Sequence, residues 1–147
     1  MSPRLFLPLA LLTGLALTGC NPAAKLVGKW EIDADKVKAD LAANNNPMAA
    51  ALGGMMAMVK VEPEFEADGT WTLTMGGPLG SQSRSGTWKY VKSDGEVLVL
   101  NVAMENEAER ELRVKFIDND HVQMEPPAGS GVPTSQGQAF SFRRVKQ

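Results

Sequence analysis

The chain has 147 residues, with 15 basic and 17 acidic side chains and a formal net charge of −2, which excludes the basic footprint of a nucleic-acid binder. Its apolar content of 44% and charged content of 22% are ordinary for a chain that buries a core, and its length suits one domain. A single cysteine, Cys20, excludes an intramolecular disulfide, so the fold must be held by its core alone.

Residues 1–19 carry one basic residue, Arg4, followed by an apolar run over 5–17 broken only by Pro8, Thr13 and Gly14. This pattern predicts a secretory signal, because a spanning helix needs about 20 apolar residues. The segment ends in Leu17-Thr18-Gly19-Cys20. That tetrapeptide resembles the lipobox of bacterial lipoproteins. The resemblance implies that the Cys20 thiol is alkylated by diacylglycerol, that the signal is cut just before it, and that the new N-terminus is acylated. Two or three acyl chains anchor stably, at about 0.8 kcal/mol per buried methylene. The next residue is Asn21 rather than the Asp that retains such proteins in the inner membrane, so the resemblance implies an outer-membrane location facing the periplasm. Residues 21–25 are expected to be a short tether.

Gly-x-Trp occurs three times, at Gly28-Lys29-Trp30, Gly69-Thr70-Trp71 and Gly86-Thr87-Trp88. Each tryptophan stands where a chain leaves a turn and enters a strand. Period-two alternation predicts a first strand over 26–32, with Leu26, Gly28, Trp30 and Ile32 on one face. Asp33 or Asp35 can cap a helix over 34–43, whose Val37 and Leu41 share a face. Asn44-Asn45-Asn46 ends it, and Pro47 suits the first position of a second helix over 47–58. That helix has no charge and contains Met48, Met55, Met56 and Met58. A helix apolar all round packs against something apolar. It is expected as a plug at one barrel end, the alternatives being a lid or partner-facing surface, or a thioether copper site that would lack Cys and His ligands.

Val59, Val61 and Phe65 alternate with charged residues in a strand over 59–66, where Pro63 points to an edge or a bulge. Asp68-Gly69 predicts a hairpin. Trp71, Leu73 and Met75 are expected inward, with Thr72 and Thr74 outward. Residues 76–83 read as a plain loop without phosphate-loop spacing. Strands follow over 84–92, with Gly86, Trp88 and Tyr90 inward, and over 97–104, with Leu98, Leu100 and Val102 inward. The run 105–111 is a solvated hairpin end without the oxygen spacing of a calcium loop. Leu112, Val114 and Phe116 belong to the next strand. The only histidine, His121, falls in a turn before the short strand of Val122 and Met124. A loop over 128–137 leads to the last strand, with Phe140, Phe142 and Arg144 in one parity.

The count predicts a mainly β fold, an eight-stranded antiparallel meander barrel with a helical insertion over 34–58. The early Gly28-Lys29-Trp30, the eight-strand meander and the basic end of the last strand resemble the lipocalin and calycin group. In that group an arginine of the last strand covers the early tryptophan at the closed end. Carried over, the pair is Trp30 with Arg143 or Arg144, and parity favours Arg144. The domain expected over 26–146 is non-catalytic: one histidine and no nucleophile motif leave little from which to build an active site. No metal or cofactor is expected beyond the lipid on Cys20. The expected partners are the membrane and a small apolar ligand, with Met55, Met56, Trp71, Trp88 and Tyr90 as candidate contacts. The alternative is a filled barrel whose methionine-rich helix docks an envelope protein. A connected apolar cavity above about 300 Å³ would favour the first.

Overall fold

The computed structural model describes residues 21–43, 47–56, 58–127 and 139–146. The signal segment, Cys20, the Asn44-Asn45-Asn46 break and the 128–137 loop lie outside the described residues. Eight antiparallel strands follow one another around a closed barrel: β1 (Gly28–Ile32), β2 (Lys60–Phe65), β3 (Thr70–Gly77), β4 (Gly80–Asp94), β5 (Val97–Met104), β6 (Arg110–Phe116), β7 (His121–Glu125) and β8 (Phe140–Arg144). Helices α1 (Ala34–Ala43) and α2 (Pro47–Met56) fill the connection from β1 to β2.

Residues 21–25 are not a bare tether. Pro22–Leu26 form a 3₁₀ turn capped by Asn21, whose Oδ1 accepts from the Ala23 amide at 3.0 Å. Ala23 and Leu26 are fully buried. The reason lies in Trp30, whose Nε1–H donates to the Leu26 carbonyl at 2.8 Å. A buried indole needs a partner for its N–H, and the turn supplies one while its own apolar residues cover the barrel end. Leu26 therefore belongs to this turn, and β1 starts two residues later than alternation alone predicts.

Arg144 closes the same end. It is the cross-strand partner of Trp30 in the β1–β8 ladder, and its guanidinium carbon stands 4.3 Å from the indole centroid. Its Nη1 and Nη2 donate to the carbonyls of Val27 and Lys25, and its Nε donates to that of Asn119. One planar fork thus ties the 3₁₀ turn to the β6–β7 turn. Gly28 makes this approach feasible: its φ is +129°, and a Cβ there would lie 2.8 Å from Arg144 Nη1. Arg143, the other candidate, points outward and pairs with Glu31.

α1 forms as expected, with the Lys36 amide donating to Asp33 Oδ1 at 3.1 Å and with Val37 and Leu41 buried. α2 ends at Met56 and leans on α1 through Gly53, whose bare Cα faces Leu41. Met55 and Met58 are 66% and 71% exposed, and of these three Met56 packs on the core. β1 pairs with β2 only at Gly28–Phe65 and Lys29–Glu64. Pro63 lies just past this ladder, where its missing N–H has no partner strand to disappoint. Its neighbour Glu62, expected in solvent, is buried on the outer face with Lys60 at 3.0 Å and Lys29 at 3.5 Å.

Residues 76–83 are also not a loop. β3 runs on to Gly77, Pro78 and Leu79 make the turn, and β4 starts at Gly80 and extends to Asp94. Thr74 bonds Ser83, and Thr72 bonds Ser85, across the outer face of this hairpin. Small polar residues that resemble a loop in sequence can equally form a cross-strand hydroxyl ladder. β4 bulges between Tyr90 and Lys92. In β5, Leu98, Leu100 and Val102 enter the core as expected, and Val99 is buried too, on the opposite face beside its cross-strand partners Lys92 and Arg113.

Trp30→Ala is expected to destabilise the fold by about 3–5 kcal/mol, measured by urea unfolding. Arg144→Ala costs less, and a double-mutant cycle shows positive coupling between the two, since a guanidinium over an indole contributes about 0.5–2 kcal/mol. A second outcome concerns acid. Burial pushes the Glu62 carboxyl up, but the ammonium groups of Lys60 and Lys29 outweigh it and hold its pKa below the ordinary 4.5. A lowered folded-state pKa contributes stability that is present above the unfolded value and is lost as pH falls through the folded one. Melting temperature should therefore drop below about pH 4.5, and Glu62→Gln should flatten that part of the profile.

Candidate functional site

The barrel is filled in one half and hollow in the other. Leu98, Val114, Val122 and Trp30, all nearly or fully buried, crowd the end where Arg144 lies, and Phe116 meets Trp30 edge-on at 6.3 Å. The other half holds an apolar cavity of about 330 Å³. Its walls come from the inward residues of β2 and β3, chiefly Val61, Pro63, Leu73 and Met75, and from Phe140 and Phe142 of β8. Met56 of α2, Val59, Pro126 and Pro127 border it at the strand ends remote from Trp30. Among the described residues every one that lines it is apolar. Among the described side chains of the insert, Met56 meets the cavity, where the β1–β2 ladder has stopped.

The floor is aromatic. Phe65 stacks on Trp71 with centroids 5.8 Å apart, and Trp88 abuts Phe65 edge-on at 5.6 Å. Both of these indoles are oriented by backbone acceptors: Trp88 Nε1–H donates to the Glu66 carbonyl at 2.9 Å and Trp71 Nε1–H to that of Ala103 at 3.3 Å. The second bond explains the third Gly-x-Trp. Gly86 is the β4 residue between Trp71 on β3 and Met104 on β5. A Cβ there would come within 1.9 Å of the Ala103 carbonyl oxygen. A bare residue lets the indole cross β4 and reach β5, a cross-strand aromatic covering a glycine.

Of the candidate contacts, the structure brings Met56 and Trp71 to the cavity and leaves the others off it. Met55 faces solvent. Trp88 stands behind Phe65 and supports the floor. Tyr90 lies deeper along β4 and pairs its hydroxyl with Ser93 at 2.8 Å. Inward parity is shared by all three aromatic positions of β3 and β4, but only Trp71 is at the right height. The lining residues missed include Val59, Val61, Pro63, Pro126 and Pro127. A proline pair at a strand end carried the signal of a rim, and Pro63 on the inward parity carried that of a wall.

His121 is exposed, and its Nδ1 lies 2.9 Å from the Asp118 carboxylate. The Asp120 amide first, and the His121 ring second, hold the Asp118 carboxyl below its ordinary range. These contacts tighten the β6–β7 turn far from the cavity. Among the described residues no group of three or more His, Cys, Asp or Glu side chains converges as a metal site. No buried side-chain nitrogen or oxygen there lacks a partner.

No family model, curated protein or solved structure matches this chain. What the site can do must therefore be argued from its own geometry. A space of this volume is about twice an engineered 150 Å³ apolar cavity that takes up benzene. It fits a molecule of roughly naphthalene size or a short hydrocarbon chain, held by dispersion and desolvation against the described apolar lining.

Proposed function

We propose that the protein is a non-catalytic, lipid-anchored lipoprotein of the bacterial envelope whose barrel binds a small apolar molecule. The single observation that carries the ligand reading is the 330 Å³ cavity at the end away from Trp30, apolar in all its described lining residues. A core that merely stabilised the barrel would fill this space, since each unfilled methylene-sized gap costs stability. The envelope reading rests on Leu17-Thr18-Gly19-Cys20, with the only cysteine of the chain at the modified position. Asn21 favours the outer membrane.

A second reading has its own observation. Met55, Met58 and Leu79 are exposed apolar side chains, and methionines on a surface adapt to a partner's shape. In that reading the protein docks another envelope component through α2. The cavity then plays no part in docking.

Two measurements test the proposal. N-phenyl-1-naphthylamine, a dye that brightens in apolar surroundings, should bind the full chain at one site. Val61→Phe, which puts a ring into the cavity, should weaken binding by about tenfold or more while the melting temperature stays within a few degrees. Dye binding that Val61→Phe leaves unchanged would refute the cavity as the site. Intact mass of the protein from bacterial membranes should show Cys20 as the N-terminal residue carrying acyl chains, and Cys20→Ser should release an unlipidated form. An unmodified Cys20 still preceded by residues 1–19 would refute the anchor.

A further inference from the structure

Rings border the cavity on two sides: Phe65 and Trp71 on β2 and β3, and Phe140 and Phe142 on β8. Beside the last two stands Met124 of β7, the cross-strand partner of Phe140 and also a lining residue. In this closed barrel of eight, β7 lies four strands from β3 in either direction. One wall is therefore made of rings, and the wall across from it carries a thioether beside further rings. All five side chains are buried, so close packing holds them in place. Trp71 is fixed further. Its Nε1–H is bonded to the Ala103 carbonyl, and its ring lies within 18° of parallel to that of Phe65. It has no donor left to offer, so it presents a fixed carbon surface.

Walls of this kind discriminate by ring electronics. An aromatic quadrupole is negative over its face and positive at its edge, so a second ring gains from offset or edge-to-face contact where a saturated ring does not. Each such pair is worth about two- to tenfold in affinity beyond the area it buries. A thioether at a ring edge adds a contact of the same order. An alkyl chain gains only dispersion and desolvation from the same walls. A charged group would find no polar partner among the described lining residues and would be costly to bury.

We propose that the bound molecule is an uncharged, planar aromatic compound of about two fused rings, held between the Phe65–Trp71 stack and the Phe140–Met124 pair. The inference rests on the ligand reading above. It chooses between the two shapes that the volume allows and names the residues that make the choice.

The test uses naphthalene and decalin, which share a carbon skeleton and differ in being aromatic or saturated, with decanol as the chain-shaped competitor. Each is titrated against N-phenyl-1-naphthylamine bound to the full chain. Each affinity is then divided by the compound's partition from water into hexadecane, which removes differences in hydrophobicity. On that scale naphthalene should bind about tenfold more tightly than either of the others. Met124→Leu and Phe140→Leu keep the wall apolar. Each should lower the ratio of naphthalene to decalin affinity by about threefold, through weaker naphthalene binding. Ligand desolvation is common to wild type and variant, so this change isolates the contact with the ring, and the wild-type ratio stands even if one variant fails to fold. If decalin or decanol matches naphthalene on the normalised scale, or if both variants leave the ratio unchanged, the aromatic inference fails and the apolar site stands. If neither the dye nor naphthalene binds, both fall together.

Discussion

The structure depends on a cation held over an indole. β1 has two cross-strand pairs with β2 and three with β8, so the barrel is closed chiefly through the strand that carries Arg144. That ladder is short, and its pairing alone would leave a weak seam. The guanidinium over Trp30 reinforces it from above. It also gathers carbonyls from the 3₁₀ turn and from the β6–β7 turn, which ties both to this barrel end. Packing, hydrogen bonding and charge converge on one side chain here, so the end it closes is the rigid one.

Rigidity at that end permits hollowness at the other. A barrel of eight strands has room either for its own side chains or for one small ligand. This one divides the two roles along its axis. Leu98, Val114, Val122 and Trp30 occupy the closed half, whereas small or ring-shaped wall residues such as Val61 and Pro63 line the open half. Trp71 marks the boundary between them, and its orientation depends on the missing side chain of Gly86. The interruption of the β1–β2 ladder by α1 and α2 lies at the open half as well. Its cost to pairing therefore falls where order matters least to the core.

Much of this was legible in the residues. Alternation located the eight strands because an antiparallel strand with one buried face repeats every second residue, and Asp68-Gly69 announced its hairpin through backbone conformation alone. The Trp30–Arg144 pair followed from parity together with the resemblance to the lipocalin group. Other features were not legible. Alternation says which face a residue points to but not how far along the axis it sits, so Trp88 and Tyr90 read as equal to Trp71 although they lie below or behind the cavity. Residues 76–83, rich in Gly, Ser and Pro, imitate a loop because the hydroxyls that pair across β3 and β4 are the same residue types that favour turns. Reading that stretch as irregular also concealed Gln82 as a strand residue, whereas Arg84 opens the strand expected over 84–92. Glu62 was misplaced for a related reason: its burial depends on Lys29, which is 33 residues away in the chain.

The 3₁₀ turn has a mechanical consequence. The described structure begins at Asn21, immediately after the cysteine proposed to carry the lipid. One residue of chain spans about 3.8 Å, so an anchor at that point has almost no rope. The barrel could neither swing freely nor reach far from the bilayer. Its sealed end would rest near the headgroups, with its mouth directed into the aqueous space. Cargo leaving that same leaflet could not slide straight in; it would have to travel around the barrel or arrive from the opposite side, already extracted. The shortness of the leash would make the protein a fixed, outward-looking receptacle rather than a skimmer of its own membrane.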